Sequence, residues 1–228
     1  MRTLVIALYA EGVTDNRFLP PLIQRTAERI LAQYGYDFTD VLDPIIVPKQ
    51  QGRRQDCILK AAHFAYGYHI LIVHSDADDN TQEPARLERI QPGFALVAHS
   101  NESVCKHLVP IIPVRMIEAW MLADHSAFRE TIGTDISPQN LGFPARPALV
   151  ETDANPKQTL NEIIRKAQAG RSQRHRSFDF STRQESLARR IGLDILLTIP
   201  SYKTFVLDFK KILAQLNFIS LDHREEIS

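Results

Sequence analysis

The segment Thr3–Ala10 (TLVIALYA) is almost continuously apolar, rich in β-branched residues and bounded by Glu11-Gly12. A short run that is apolar at both alternating positions predicts a strand buried on both faces, as in a parallel sheet. After it, Ile23, Ala27, Ile30, Leu31 and Tyr34 recur at helical spacing and Gly35 stands where a helix stops, although Pro20 and Pro21 blur where it starts. DPIIVP (Asp43–Pro48) predicts a short strand, and Arg53–Tyr66 a helix closed by Gly67. HILIVHS (His69–Ser75) predicts a third strand, followed at once by the acidic turn DADDN. The fourth run, LVPIIPV (Leu108–Val114), carries two prolines and so suits an edge or irregular strand; it leads directly into MIEAWMLAD.

Strands that alternate with helical segments over residues 1–125 predict βαβ units and a doubly wound parallel sheet, hence an α/β fold. Residues 133–157 are rich in Pro, Gly and Asn and read as a long loop or linker. Helical patterns follow in NPKQTLNEIIRKAQAG, STRQESLARRIG and SYKTFVLDFKKILAQL. The expected organisation is therefore an α/β domain over residues 1–130, then a linker and a mostly helical C-terminal region over residues 131–228.

Composition changes this picture little. The chain has 228 residues, 44% of them hydrophobic, with 27 Lys+Arg against 27 Asp+Glu. That is enough chain to bury a core without disulfides or a structural metal. Zero net charge gives no global pull toward nucleic acid, though a local basic patch still attracts phosphate. No apolar run approaches the roughly 20 residues of a membrane span, and no signal-peptide pattern opens the chain, so a soluble, cytoplasmic protein is expected. Cys57 and Cys105 are too few and too far apart for a zinc knuckle or a disulfide framework, and read as buried small hydrophobes.

The candidate chemistry lies where strands end. In an open parallel sheet the loops at the carboxyl ends of the strands share one edge, and ligands bind there. Glu11 follows the first predicted strand, Asp76, Asp78 and Asp79 the third, and Glu118 the fourth. Clustered carboxylates repel one another unless a cation neutralises them, and oxygen-only ligands suit Mg²⁺ or Mn²⁺. Each feature also has a plainer reading. An Asp-rich turn is common turn chemistry, EG at a strand end is a loop signal, and Glu118 suits the first turn of a helix. The coincidence of all three at one edge favours a phosphoryl-transfer site.

At these residues the chain resembles the Toprim superfamily, the metal-dependent domain of topoisomerases, primases and overcoming-lysogenization-defect nucleases. EGVTD (Glu11–Asp15) is similar to that family's first-strand glutamate and glycine, and SDADD (Ser75–Asp79) to its DxD. Together with IEAWMLAD (Ile117–Asp124), the set resembles a Toprim-like bacterial family of unknown function often found beside ATPases in defence loci. The resemblance implies a Toprim-like parallel sheet flanked by helices, with Glu11 as general acid/base or metal ligand and Asp76 and Asp78 as Mg²⁺ ligands. Glu118 has no counterpart in the minimal Toprim motif and is read as a supporting or second-metal carboxylate. Asp15 and Asp124 are read as structural caps, and Trp120 and Met121 as packing.

Among the basic residues, Arg115 precedes the Glu118 helix and offers a fork for phosphate, or offsets the acids; Lys157 reaches the same edge or is a solvated helix start. His63, His69, His74, His99 and His107 show no metal-ligand spacing and receive no role. Arg171, Arg174 and Arg176 open a segment with six arginines up to Arg190, interleaved with Phe178 and Phe180. Arginine beside aromatics suits phosphate contact and base stacking.

The reading that joins these features is a Mg²⁺-dependent nuclease acting on DNA or RNA, with a partner ATPase implied by the resemblance alone. A nucleotidyltransferase or phosphatase using the same acids, and a non-catalytic Toprim-fold interaction subunit, are the alternatives. Repulsion among the acids implies that Asp76→Asn stabilises the ion-free protein, unless Asp76 also caps backbone groups. For the arginine segment, replacing Arg174 and Arg176 by Ala is expected to flatten the slope of log affinity against log salt by roughly 2 on duplex DNA, weakening all sequences alike. An unchanged slope would assign the segment to protein contact or solubility.

Overall fold

Every strand pairing in the computed structural model, which describes residues 2–12, 14–169 and 179–220, is parallel. The strands are β1 (Arg2–Leu4), β2 (Ile6–Tyr9), β3 (Thr39–Val41), β4 (Ile45–Ile46), β5 (Ile70–His74) and β6 (Leu108–Ile111). They pair in the orders β1-β3 and β4-β2-β5-β6. Only Val5 separates β1 from β2. Its N–H donates to His69 Nδ1 at 3.0 Å, while the His69 N–H donates to the Val5 carbonyl at 3.0 Å, so a ring nitrogen interrupts the ladder there. The apolar run Thr3–Ala10 is thus two strands rather than one, and β3 lies outside the runs that the hydrophobic pattern predicts as strands. The proline-bearing β6 does lie at the sheet edge, where a missing amide donor costs least.

The helices are α1 (Asp15–Tyr34), α2 (Arg54–Phe64), α3 (Glu83–Ala85), a π-helical turn (Arg86–Ile90), α4 (Gln91–His99), α5 (Glu118–Met121), α6 (His125–Ile132), α7 (Pro138–Leu141), α8 (Pro156–Gln168), α9 (Gln184–Arg190), α10 (Leu193–Leu196) and α11 (Pro200–Gln215). Side chains alternate across the sheet. Ile6, Leu8, Ile70, Ile72, Val109 and Ile111 face α1 and the C-terminal helices, whereas Ala7, Tyr9, Leu71 and Val73 face the side covered by α2 and α4. Both faces are buried, which is why these strands are apolar throughout. The chain is thus α/β, a parallel sheet flanked by helices.

The α1-side core continues from Leu8 through Trp120 and Phe128 to Tyr202, Phe205 and Phe209, crossing residue 130 without a break. Polar ties hold the C-terminal helices to it. Trp120 Nε1 donates to Ser201 Oγ at 2.8 Å, the Thr26 and Tyr202 hydroxyls pair at 2.7 Å, and Arg25 Nη1 donates to the Ala188 and Ile191 carbonyls. Trp120 and Met121 are core packing, as expected, and Cys57 and Cys105 are buried free thiols.

Residues 133–157 are not a free linker. They hold α7 and a 3₁₀ turn (Pro147–Thr152) and bury Leu141, Phe143 and Val150 in the main core. The prolines and glycine that suggested a linker start and stop these turns: Pro138 and Pro147 open them, and Gly142 closes α7 at φ 93°. Similarly, α1 begins ahead of Pro20 and Pro21 and runs through both. No described helix is long and apolar enough to cross a membrane.

Residues 83–99 carry Pro92-Gly93, and Gly93 is what lets α4 approach α2. A Cβ there would stand 2.6 Å from Ile58 Cδ1 and 2.7 Å from Ile58 Cβ. Gly93→Ala gains about 0.5–1 kcal/mol of helix propensity, whereas overpacking a core costs about 1–3 kcal/mol. We therefore expect net destabilisation of about 1–2 kcal/mol, read as a lower urea midpoint at unchanged m-value. A midpoint equal to or above wild type would show that Ile58 yields freely.

Candidate active site

The strand order places a topological switch point between β2 and β5: the chain leaving β2 turns to α1 on one face, and the chain leaving β5 turns to α3 and α4 on the other. The crevice between two such diverging loops is where open α/β sheets bind ligands. Glu11 lies on the first loop and Ser75-Asp76 on the second, and the Ser75 hydroxyl donates to Glu11 Oε1 at 2.8 Å.

The loops after β5 and β6 remain paired beyond the strands. Ser75 N–H donates to the Ile111 carbonyl, Ala77 to Pro113, Asp78 to Arg115 and Arg115 to Asp79. To do so, Asp78 (φ 52°) and Arg115 (φ 61°) both adopt the left-handed region, which is costly for residues with a Cβ and concentrates at functional sites. This pairing brings Asp76 to the start of α5: its Oδ1 accepts the Ile117 N–H at 3.0 Å, beside Glu118.

Beneath the edge, His74 is fully buried between two carboxylates, with Nδ1 3.4 Å from Asp15 Oδ2 and Nε2 3.3 Å from Asp76 Oδ1. Burial alone would push the imidazole pKa down; Asp15 and then Asp76 outweigh it and hold His74 up at about 9. Asp15 also accepts the Gly12 N–H at 2.7 Å, tying the Glu11 loop to α1.

Two guanidinium groups flank the acids. Arg54, the first residue of α2, donates to the His74 carbonyl and lies 3.4 Å from Glu11 Oε1, with its guanidinium over the Tyr9 ring at 5.3 Å. Arg89, on the π turn, donates through Nη1 to the Asp76 carbonyl at 3.0 Å and to Asp78 Oδ2 at 2.7 Å. The Asp78 hydrogen bond, and beyond it the charges of Asp78, Glu11 and Asp76, hold Arg89 above the ordinary guanidinium range against partial desolvation.

Glu118 differs from the other acids. It is 8% exposed, and its carboxylate has no side-chain hydrogen bond or ion pair among the described residues. Burial raises its pKa first; the negative charges of Asp76 and Asp15 add to this, while its own backbone amide and the charge of Lys157 work against it. A buried carboxylate with no contacting cation among the described residues supplies the kind of oxygen donor that Mg²⁺ or Mn²⁺ takes. As the side chains stand, no three His, Cys, Asp or Glu among the described residues are grouped to hold a metal. Asp76 Oδ1 is committed to Ile117 and His74, and Glu11 Oε1 to Ser75 and Arg54.

The matching family model is the domain of unknown function DUF4276, over residues 10–209. The chain belongs to the DUF4276 family. No curated protein and no solved structure matches it. The match begins one residue before Glu11 and extends through most of α11, so in this DUF4276 chain it spans both the acidic edge and the C-terminal helices.

Of the sequence-derived candidates, Glu11 lies on the loop after β2 and is joined to Ser75, Asp76 lies on the loop after β5, and Glu118 follows Ile117, whose N–H Asp76 accepts at the head of α5. Asp78 sits at the rim of this edge, 56% exposed at the side chain and held by Arg89. Lys157, in the first turn of α8, acts electrostatically on Glu118. Arg115 points its guanidinium to Asn80 Oδ1. Arg171, Arg174 and Arg176 lie outside the described residues. Asp124 is the N-cap of α6, accepting from Ser126 and Ala127, and also accepts the Gly192 N–H. Sequence reasoning missed His74, Arg54 and Arg89. A polar residue closing an otherwise apolar strand, immediately before an acidic turn, was the available signal for His74.

The His74 pKa yields a stability prediction for the DUF4276 chain kept in chelator. Its folded pKa of about 9 stands above the ordinary 6.5, so the stabilisation is complete below about pH 6.5 and is lost as pH rises through 9. Chemical denaturation should show a loss on the order of 3 kcal/mol across that window. His74→Gln should flatten the profile there. A wild-type profile that is flat or rising from pH 6.5 to 9 would mean that His74 is neutral.

Proposed function

We propose that this protein is a Mg²⁺- or Mn²⁺-dependent nuclease that cleaves DNA or RNA phosphodiesters, acting with a partner ATPase in a bacterial defence-type system. The partner follows from the Toprim-like resemblance; the chemistry rests on the acidic edge. The observation that carries it is Glu118, a buried carboxylate at the head of α5 that feels the charge of Asp76 and has no contacting cation among the described residues.

Glu118 and Asp76 would hold the ion, with Glu11 and Asp78 beside them. Bound there, the ion supplies charge neutralisation at the phosphoryl group and in its transition state. Glu11 is fixed through Oε1 by the Ser75 hydroxyl and Arg54. Its other oxygen has no partner among the described residues, and we assign it to take a proton from the attacking water. His74 holds Asp76 and Asp15 in place from below and keeps two adjacent negative charges from repelling. Lys157, in the first turn of α8, favours the charged form of Glu118 through its own charge.

A second reading, a non-catalytic Toprim-fold interaction subunit, draws on the same geometry: Glu11, Asp76 and Asp78 already have cationic neighbours in Arg54, His74 and Arg89. A nucleotidyltransferase or phosphatase shares the acidic edge and differs in product.

Because Asp76 receives the Ile117 N–H and partners His74, Asp76→Asn is now expected to destabilise the protein, and the residue that reports electrostatic repulsion is Glu118. A carboxylate whose folded pKa is raised reduces stability wherever it is ionised. Glu118→Gln should therefore stabilise the ion-free protein by about 0.5–2 kcal/mol. Native-state binding of Mn²⁺ should stabilise wild type by about 2.7 kcal/mol at a hundredfold its dissociation constant, and Glu118→Gln should erase most of that gain. Glu11→Gln should abolish Mn²⁺-dependent cleavage of a labelled oligonucleotide while leaving the melt intact. A wild type indifferent to millimolar Mn²⁺, with Glu118→Gln no more stable, would favour the interaction subunit.

A further inference from the structure

Carboxylates gathered to hold a cation repel a phosphodiester, so a site of this kind needs donors for the phosphate besides the ion. Arg54 spans the ends of β2 and β5, near Glu11 and on the His74 carbonyl, and Arg89 stands beside the loop after β5. Neither is consumed by its present contacts. A guanidinium carries five N–H donors. Arg89 makes both of its bonds through Nη1, leaving Nη2 and Nε without an acceptor among the described residues. Arg54 donates through Nη2 only, and its Nε is buried without an acceptor.

The backbone places Arg89 unusually. It belongs to the five-residue π turn, a geometry that recurs at functional sites because it re-aims a side chain within a helix. The same turn is anchored to α11 by Arg86, whose Nη2 lies 3.0 Å from Asp208 Oδ2. Arg54 is oriented from two sides, by the His74 carbonyl and the Tyr9 ring. Both side chains remain partly open to solvent, at 24% and 37% exposure.

We propose that Arg54 and Arg89 form a phosphate clamp: the guanidinium groups that screen Glu11 and Asp78 in the free protein turn their unused donors to a phosphodiester of the substrate strand. The planar fork matches two phosphate oxygens in a way a lysine ammonium does not. This rests on the nuclease reading, and it identifies which side chains hold the substrate at that site.

The test measures anisotropy of a short fluorescein-labelled single-stranded oligodeoxynucleotide on the full chain, in EDTA and with Ca²⁺, and Mn²⁺ binding by calorimetry without nucleic acid. Arg54→Gln and Arg89→Gln should each weaken oligonucleotide binding about tenfold. Each should lower the salt slope by about 0.7. Arg89→Lys should recover only part of the loss. The same Gln variants should bind Mn²⁺ several-fold more tightly, because a repelling cation is gone. The opposite signs separate a clamp from damage to the fold, which would weaken both. Variants that bind the oligonucleotide as wild type does overturn the clamp and leave the nuclease reading standing, as do variants that lose Mn²⁺ and oligonucleotide together. A wild type that binds neither overturns both.

Discussion

Five carboxylates, those of Glu11, Asp15, Asp76, Asp78 and Glu118, are gathered at one end of a parallel sheet, and their mutual repulsion is the constraint the rest of the structure answers. Two like charges 4 Å apart cost about 4 kcal/mol at an effective dielectric constant near 20, so such a group forms only where cations are built in beside it. His74 serves Asp15 and Asp76 from within the core, Arg54 serves Glu11, and Arg89 serves Asp78. Glu118 is the acid that no contacting cation serves among the described residues, and burial pushes its pKa up. The imbalance at Glu118 is the feature on which the proposed divalent-ion site rests.

The fold converges on this edge by ordinary means. Apolar strands buried on both faces form a parallel sheet, and the order β4-β2-β5-β6 opens a crevice where the connections diverge. Continued pairing of the loops after β5 and β6 then carries Asp76 to the head of α5, at the cost of left-handed backbone at Asp78 and Arg115. The C-terminal helices complete the arrangement. They hold the buried Trp120 of α5 through Ser201, and Lys157 of α8 acts on Glu118 through its charge, so both parts of the chain bear on this edge.

Much of this was legible in the sequence. Strands buried on both faces announce themselves as unbroken apolar runs, and acids immediately after them mark the ligand-binding edge whatever the family. What could not be read were partnerships between distant segments. His74 reads as the polar end of a strand, and only the tertiary structure shows carboxylates from the first turn of α1 and from the loop after β5 against its ring. Arg89 lies in a π turn just ahead of Pro92 and Gly93, and a π turn has no sequence signature of its own. The Pro- and Gly-rich residues 133–157 were misread because turn-forming residues open and close buried helical turns as readily as they make linkers. The arginines at 171, 174 and 176 are outside the described residues.

The central claim is that the carboxylates around Asp76 hold a divalent ion. Crystals grown with Mn²⁺ and measured above and below the manganese absorption edge test it most directly. The account predicts an anomalous peak in the crevice between the loops after β2 and β5, with Glu118 and Asp76 oxygens as ligands. Well-ordered carboxylates with no peak between them, and Arg54, His74 and Arg89 still in contact with Glu11, Asp76 and Asp78 at millimolar Mn²⁺, would contradict it.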